Sequence, residues 1–229
     1  MRAVETAHPA GGVCFASSEV PRFAASLKCL NRLAVPNGSL EAWYLGVLVA
    51  ENLNLGLTDT LKHPLAQWAW LMGDDHLYPE DIVLKLLDRG VDVVVPLCLN
   101  RLPPIEPTII NKTLGRPKHL SELPTSGLYK LAADEVIGDA GMLIRRPVLE
   151  SLERPFYAAP RSGSFSAEDQ NFCRKLQTAG YAVWVDLDNV IEHIGNVAYK
   201  PVVVNGEWHI RLTGGGKHLV DIQPRRPVP

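Results

Sequence analysis

Trp68-Ala69-Trp70-Leu71-Met72-Gly73-Asp74-Asp75-His76-Leu77-Tyr78-Pro79-Glu80-Asp81 begins as an apolar run of the length of one buried strand and breaks off at Gly73. Three side chains able to hold a metal follow, and Pro79 then opens a helix. Asp74, Asp75 and His76 therefore lie on a strand-to-helix turn. In an open α/β sheet the ligand sits beyond the carboxyl ends of the strands, so two carboxylates and an imidazole here suit a metal or a phosphate-bearing substrate. Acids at a helix start also serve simply to cap orphan amides. That reading fits Glu80 and Asp81, already in the first turn, whereas Asp74 and Asp75 come earlier, with a strand behind them.

Outward from this turn the chain alternates strands and helices. Gly12 to Ala16 reads as a first buried strand, ended by Ser17 and Ser18. Pro21 suits the first turn of a helix capped by Ser18, with Phe23, Leu27 and Leu30 at helical spacing to about Leu33. Pro36-Asn37-Gly38 breaks the pattern, and Ser39 is expected to cap a second helix running towards Asn52 or Asn54. After the central turn, Ile82, Val83, Leu86 and Leu87 make one apolar face closed by Gly90, and Val91 to Leu97 is a further strand. From about Asn100 to Tyr129 the chain carries Pro103, Pro104, Pro107, Pro117 and Pro124 with little periodicity. A mobile loop over the site is expected there, with a passive excursion as the alternative.

Gly138 and Gly141 precede an apolar strand at Met142 to Ile144, where backbone comes close to a neighbour or a ligand, or simply turns. A short helix at Val148 to Leu152 and a flexible stretch at Arg161 to Ser164 follow. Ser166-Ala167-Glu168-Asp169 fits a capping box at the head of a helix that buries Phe172, Cys173, Leu176 and Ala179 and stops at Gly180. Tyr181 to Val185 is the next strand, with Glu192-His193-Ile194-Gly195 just beyond it. Val202 to Val204, Asn205-Gly206 and Trp208 to Ile210 spell a closing hairpin, and the tail from Gln223 reads as irregular.

The 229 residues suit one domain with a substantial core. Charged residues make up 21% and the formal net charge is −2, which argues against a surface built broadly to neutralise a polyanion. The first residues lack the apolar centre of a signal peptide, and no run approaches about 18 apolar residues. A soluble, cytoplasmic protein without a membrane span is expected. Cys14, Cys29, Cys98 and Cys173 are widely spaced among apolar neighbours and read as reduced packing thiols, a nucleophilic role being the lesser reading.

Three polar clusters thus stand at comparable points of an α/β frame: Asp74-Asp75-His76, Glu168-Asp169 and His193. In order and spacing the chain resembles the nucleotide-sugar glycosyltransferases of the GT-A fold, the family 2-like group in particular, over roughly residues 12 to 200. Ala50-Glu51-Asn52-Leu53-Asn54 is similar to the helical segment that precedes the metal strand in that group. The Trp70 to His76 stretch is similar to the D-x-D region, Gly138 to Arg146 to the acceptor-side strand, Glu168-Asp169 to the E-D helix, and His193 to the late histidine that completes the metal site. The motif departs from the family at Gly73, which stands where the first acid would be if Asp75 is the second. Aligned on Asp74 it reads D-x-H with His76, so both Asp75 and the Asp74/His76 pair remain candidate ligands.

The resemblance implies a Rossmann-like sandwich, a mixed and mainly parallel sheet flanked by helices, in a single catalytic domain with a hairpin and tail after about residue 200. It implies a nucleotide-diphosphate sugar as donor and Mn²⁺, or Mg²⁺, held by His193 together with Asp75 or with the Asp74/His76 pair. Donor contacts are implied at Ser17, Asn52, Asp74 and Gly141, and a general base at Asp169, with Glu168 as acceptor contact or substitute. A cation there would stabilise the leaving diphosphate, and transfer would invert the anomeric carbon. The acceptor is open: a saccharide, a lipid-linked glycan, a protein or a modified nucleic-acid base. Two other readings compete. One is a non-catalytic nucleotide- or sugar-binding module of the same fold. The other is a metallophosphoesterase, since Gly73-Asp74-Asp75-His76 also spells G-D-x-H, although no second D-x-H, no G-N-H and no H-x-H accompanies it.

Overall fold

The computed structural model describes residues 1–17, 23–46, 48–101, 105–158, 168–195, 198–214 and 217–223. The Ser18 cap, Pro21, the Pro103-Pro104 pair, the Arg161 to Ser164 stretch, the Ser166 end of the capping box and the tail beyond Gln223 lie outside them.

A seven-stranded mixed sheet runs in the order Leu128–Lys130, Trp184–Val190, Val93–Leu97, Leu143–Arg145, Trp68–Gly73, Gly12–Ser17, Leu40–Leu45. Leu143–Arg145 and Leu128–Lys130 run against the other strands, which share one direction. Along the Trp68 strand the pleat sends Trp68, Trp70 and Met72 to one core and Ala69 and Leu71 to the other, so the whole run is apolar because both faces are covered. Leu30 from helix Ala24–Arg32 and Ile82 and Leu86 from helix Ile82–Asp88 fill the first core. The second takes Leu53 and Leu57 from helix Val49–Lys62 and Phe172 and Leu176 from helix Glu168–Thr178. Both buried indoles keep a partner, Trp68 Nε1 donating to Pro9 O and Trp70 Nε1 to Gly141 O, each at 2.8 Å.

The second helix expected from Ser39 is instead two elements. Leu40–Leu45 is an edge strand paired in parallel with Gly12–Ser17, and the helix starts only at Val49. Ser39 caps no helix: its hydroxyl donates to Pro36 O and accepts from Gly11 N. The Trp43-Tyr44 aromatics and in-register pairing with a buried neighbour outweigh the helical spacing of the leucines. Gly56 lets the late helix lie close to the sheet, because a Cβ there would stand 2.9 Å from Cys14 Cβ.

The proline-rich segment is also folded where described, which corrects the expectation of a mobile loop. Ile109–Asn111 pairs with Arg116–Pro117 and Glu135–Ile137 in a three-stranded sheet, and Leu120 and Leu123 are buried. Glu106 fastens it by accepting from Leu120 N and pairing with His119 Nδ1. Asp81 occupies the N-cap of its helix without a capping hydrogen bond. It pairs with Lys85, and Glu80 pairs with Arg32. Gly90, Gly180 and the Asn205-Gly206 turn adopt the positive φ their positions require.

A second, antiparallel sheet runs Lys217–Ile222, Glu207–Gly214, Ala198–Val204, Glu192–Ile194, His76–Leu77. Its innermost pairing sets His76 opposite His193. Among the described residues no helix is long and apolar enough to cross a membrane.

Candidate active site

Strand polarity decides what meets at one edge. Gly12–Ser17, Leu40–Leu45, Trp68–Gly73, Val93–Leu97 and Trp184–Val190 all end there, so Ser17, Gly46, Asp74, Asp75 and the segment from Cys98 to Arg101 emerge together. The reversed strand Leu143–Arg145 starts at the same edge and brings Gly138, Asp139 and Ala140. A cavity of about 560 Å³ lies between them. Ser17, Asp74, Asp75, His76, Glu168, Asp169 and His193, seven of the residues singled out in the sequence, line it.

Ser17 Oγ donates to Asp74 Oδ2 at 2.6 Å, which ties the ends of two neighbouring strands. Asn52 stands behind this wall rather than in it, its Nδ2 donating to Ser17 O at 3.1 Å and to Gly46 O at 3.3 Å. Gly141 also lies outside the wall. Its φ of +75° shapes the turn into Leu143–Arg145, and a Cβ there would meet Pro96 Cγ at 2.9 Å. Gly138 does line the cavity, and a Cβ there would stand 3.0 Å from Asp169 Oδ2.

Asp75 is the hub of the corner. Its Oδ1 lies 2.8 Å from His76 Nδ1, and its Oδ2 lies 3.3 Å from His193 Nε2 and accepts from Arg101 Nη1 at 2.7 Å. Burial alone would raise the Asp75 carboxyl, but the hydrogen bonds and charge of His193 and His76 hold it well below the usual carboxylate range. The two imidazoles stack with centroids 4.2 Å apart. His193 Nδ1 donates to Leu99 O at 2.9 Å, which turns Nε2 towards Asp75. A carboxylate oxygen and two imidazole nitrogens in one corner form a donor set suited to a divalent cation.

The opposite wall is acidic. Burial, with the charge of Asp169 added, pushes the Asp139 carboxyl up from the aspartate range towards neutrality, against the hydrogen bond that Tyr157 Oη donates to Asp139 Oδ2 at 2.6 Å. Burial likewise raises Asp169, with Gln170 N donating to its Oδ1 and Glu168 adding repulsion. The two carboxyls therefore titrate as a pair. Folding holds the Asp139 proton more tightly than the unfolded chain does. Its contribution to stability is full in acid and is lost as pH rises from about 3.9, the ordinary aspartate value, into the neutral range. Asp139→Asn keeps an acceptor for Tyr157 and removes the charge. Since one pKa unit is about 1.4 kcal/mol and each kcal/mol about 2–4 °C in a chain of this size, Tm is expected to rise by at least about 5 °C over the parent at pH 8. At pH 5 the gain should be much smaller. Equal differences at the two pH values in a scanning fluorimetry series would refute the assignment.

Sequence reasoning missed Arg101, Asp139, Tyr157 and Cys98. Arg101 lay in the segment read as a loop, and Tyr157 reaches the wall from distant chain. Cys98, by contrast, stands just after a strand, as Asp74 does, and the strand-end rule that found Asp74 applies equally to it.

No family model matches this sequence, and no curated protein matches it. Among solved structures the chain is similar to A197 from STIV, with a TM-score of 0.60 at 15% identity over 93% of this chain and 98% of that one. It is also similar to S. aureus TarS 1-349, with a TM-score of 0.49 at 12% identity over 79% of this chain and 58% of that one. At such identities a likeness shows fold alone. The chain is a mixed α/β protein with a large mixed sheet flanked by helices, and its likeness to A197 is one of fold.

Proposed function

We propose that the protein is a metal-dependent glycosyltransferase that moves a sugar from a nucleotide-diphosphate donor to an acceptor hydroxyl with inversion, its catalytic domain centred on residues 12 to 200. The observation that carries this reading is the convergence of Asp75 and His76 with the distant His193 on one corner of a cavity whose facing wall holds Asp139 and Asp169. Among the described residues, Asp74, Asp75, Asp139, Glu168 and Asp169 line that cavity against one guanidinium, that of Arg101. Such a wall repels a diphosphate unless positive charge is added, and Asp75, His76 and His193 would hold the divalent cation that adds it. When bound, the cation neutralises the charge that develops on the departing diphosphate. Asp169, with a carboxyl raised towards working pH, suits a general base that takes the acceptor proton, and Glu168 beside it suits an acceptor contact. Ser17, linked to Asp74, suits a donor contact at the sheet edge.

One observation favours a second reading. Arg101 already satisfies Asp75 at 2.7 Å, an arrangement equally suited to a module that binds nucleotide or sugar without turnover. The phosphoesterase reading loses ground, because two-metal hydrolysis needs a second ligand group and the described residues show one histidine-bearing cluster.

The test is a thermal-shift screen of UDP, GDP and their sugars with and without divalent cation, followed by assay of donor hydrolysis. A true donor at about 100 times its Kd adds about 2.7 kcal/mol, or about 5–10 °C in Tm, and only with cation present. No shift with any donor under either condition overturns the reading. A shift without turnover favours the binding module.

A further inference from the structure

Cys98 sits behind the cation corner in a position that the proposed function does not use. Its sulfur and one ligand atom from each of His76 and His193 all lie within 4.8 Å of one another. The three come from three elements: the end of Val93–Leu97, the short strand His76–Leu77, and Glu192–Ile194. The pairing of His76 with His193 fixes the two imidazoles, and the strand end fixes the thiol. We propose that the corner takes a thiophilic ion, Zn²⁺, through His76, His193 and the Cys98 thiolate, with Asp75 or a phosphate oxygen of the donor as fourth ligand. This rests on the reading that the corner binds a cation, and deepens it by naming the metal.

The donor chemistry selects the ion. Mn²⁺ and Mg²⁺ favour oxygen ligands, whereas a thiolate beside two imidazoles favours zinc. At zinc bond lengths of about 2.0–2.3 Å, two tetrahedral ligand atoms stand about 3.5 Å apart, so binding requires a contraction of little more than about 1 Å. The outer contacts are built. Leu99 O holds His193 Nδ1, so Nε2 faces the corner, and the same carbonyl accepts from Cys98 Sγ at 3.5 Å. Binding exchanges that S–H contact for a sulfur–metal bond, and the thiol proton leaves to solvent. A bare thiolate is disfavoured at this buried site beside Asp75, and the charge of the ion offsets that cost. Three protein ligands and an exchangeable fourth place describe a zinc site that acts on a substrate rather than one that only braces the fold.

The experiment titrates the whole chain, freed of metal by chelation, with Co²⁺ as the spectroscopic substitute for Zn²⁺. The expected result is a near-ultraviolet thiolate-to-cobalt charge-transfer band that saturates at one equivalent, disappears on addition of Zn²⁺ and survives an equal concentration of Mn²⁺. Cys98→Ser and Cys98→Ala should lose the band and weaken Co²⁺ binding by at least about tenfold, while Cys29→Ser keeps both. Circular dichroism confirms that each variant is folded. Cobalt bound without the band, or with a band that persists in both folded Cys98 variants, overturns the thiolate assignment and leaves the cation corner standing. Failure to bind Co²⁺, Zn²⁺ or Mn²⁺ overturns both.

Discussion

Asp169→Asn is expected to leave the protein folded and able to bind donor while transfer falls by about 10²–10⁴-fold, the contribution of a positioned general base. Asn has the shape of Asp and keeps an oxygen for the Gln170 amide that now donates to Asp169 Oδ1 at 2.6 Å, so the start of helix Glu168–Thr178 has little reason to move. What disappears is a carboxylate able to accept a proton at the cavity wall. Removing that charge also relieves its repulsion of Asp139, so the variant should be no less stable than the parent near neutral pH. The pH profile separates a base from a bystander. A base works only when deprotonated, so with its carboxyl raised in the folded protein, parental kcat/KM should fall as pH drops through the neutral range. In Asp169→Asn the residual rate should lose that acid limb. Transfer at the parental rate, or an unchanged acid limb, would show that the proton goes elsewhere, with Glu168 as the next residue to test.

The legible parts of this molecule are those whose cause is local. The run Trp68 to Gly73 had to be a central strand because it is apolar on both faces, and Gly73 had to end it because acids follow; the structure agrees residue for residue. Gly90 and Gly180 end helices with positive φ, and Asn205-Gly206 turns a hairpin, because few other residues reach those angles. The edge strand Leu40–Leu45 was hidden because what decides it is non-local. Its residues pair one for one with Gly12 to Ser17, and nothing between positions 39 and 54 announces that partner. The site divides the same way. Asp74, Asp75 and His76 declare themselves through the strand behind them. Arg101, Asp139 and Tyr157 join only because Val93–Leu97 runs with the Trp68 strand and Leu143–Arg145 runs against it, a matter of sheet order that no short window contains. Asn52 differs from both: expected as a donor contact, its side chain supports the Ser17 and Gly46 carbonyls instead of facing the cavity.

Asp75→Ala combined with His193→Ala is expected to abolish cation-dependent donor binding, with a loss of more than about 100-fold, since even the outer partners of a metal ligand are worth about 10–100-fold. Both residues are needed in the experiment because each compensates for the other. Without His193 alone, Asp75 and His76 still offer oxygen and nitrogen 2.8 Å apart. Without Asp75 alone, the stacked imidazoles remain a nitrogen pair, and Arg101 is released to meet a phosphate directly. Calorimetry with a nucleotide sugar, with and without divalent cation, reads the result. The parent should bind appreciably only with cation, and the double variant should bind equally weakly under both conditions. Binding in the double variant that matched the parent and still depended on cation would remove the metal corner from the proposal. Set beside Asp169→Asn, the outcome also separates the enzyme from the binding module. A transferase loses turnover but not binding in the aspartate variant and loses binding in the double variant, whereas a module without chemistry responds only to the second.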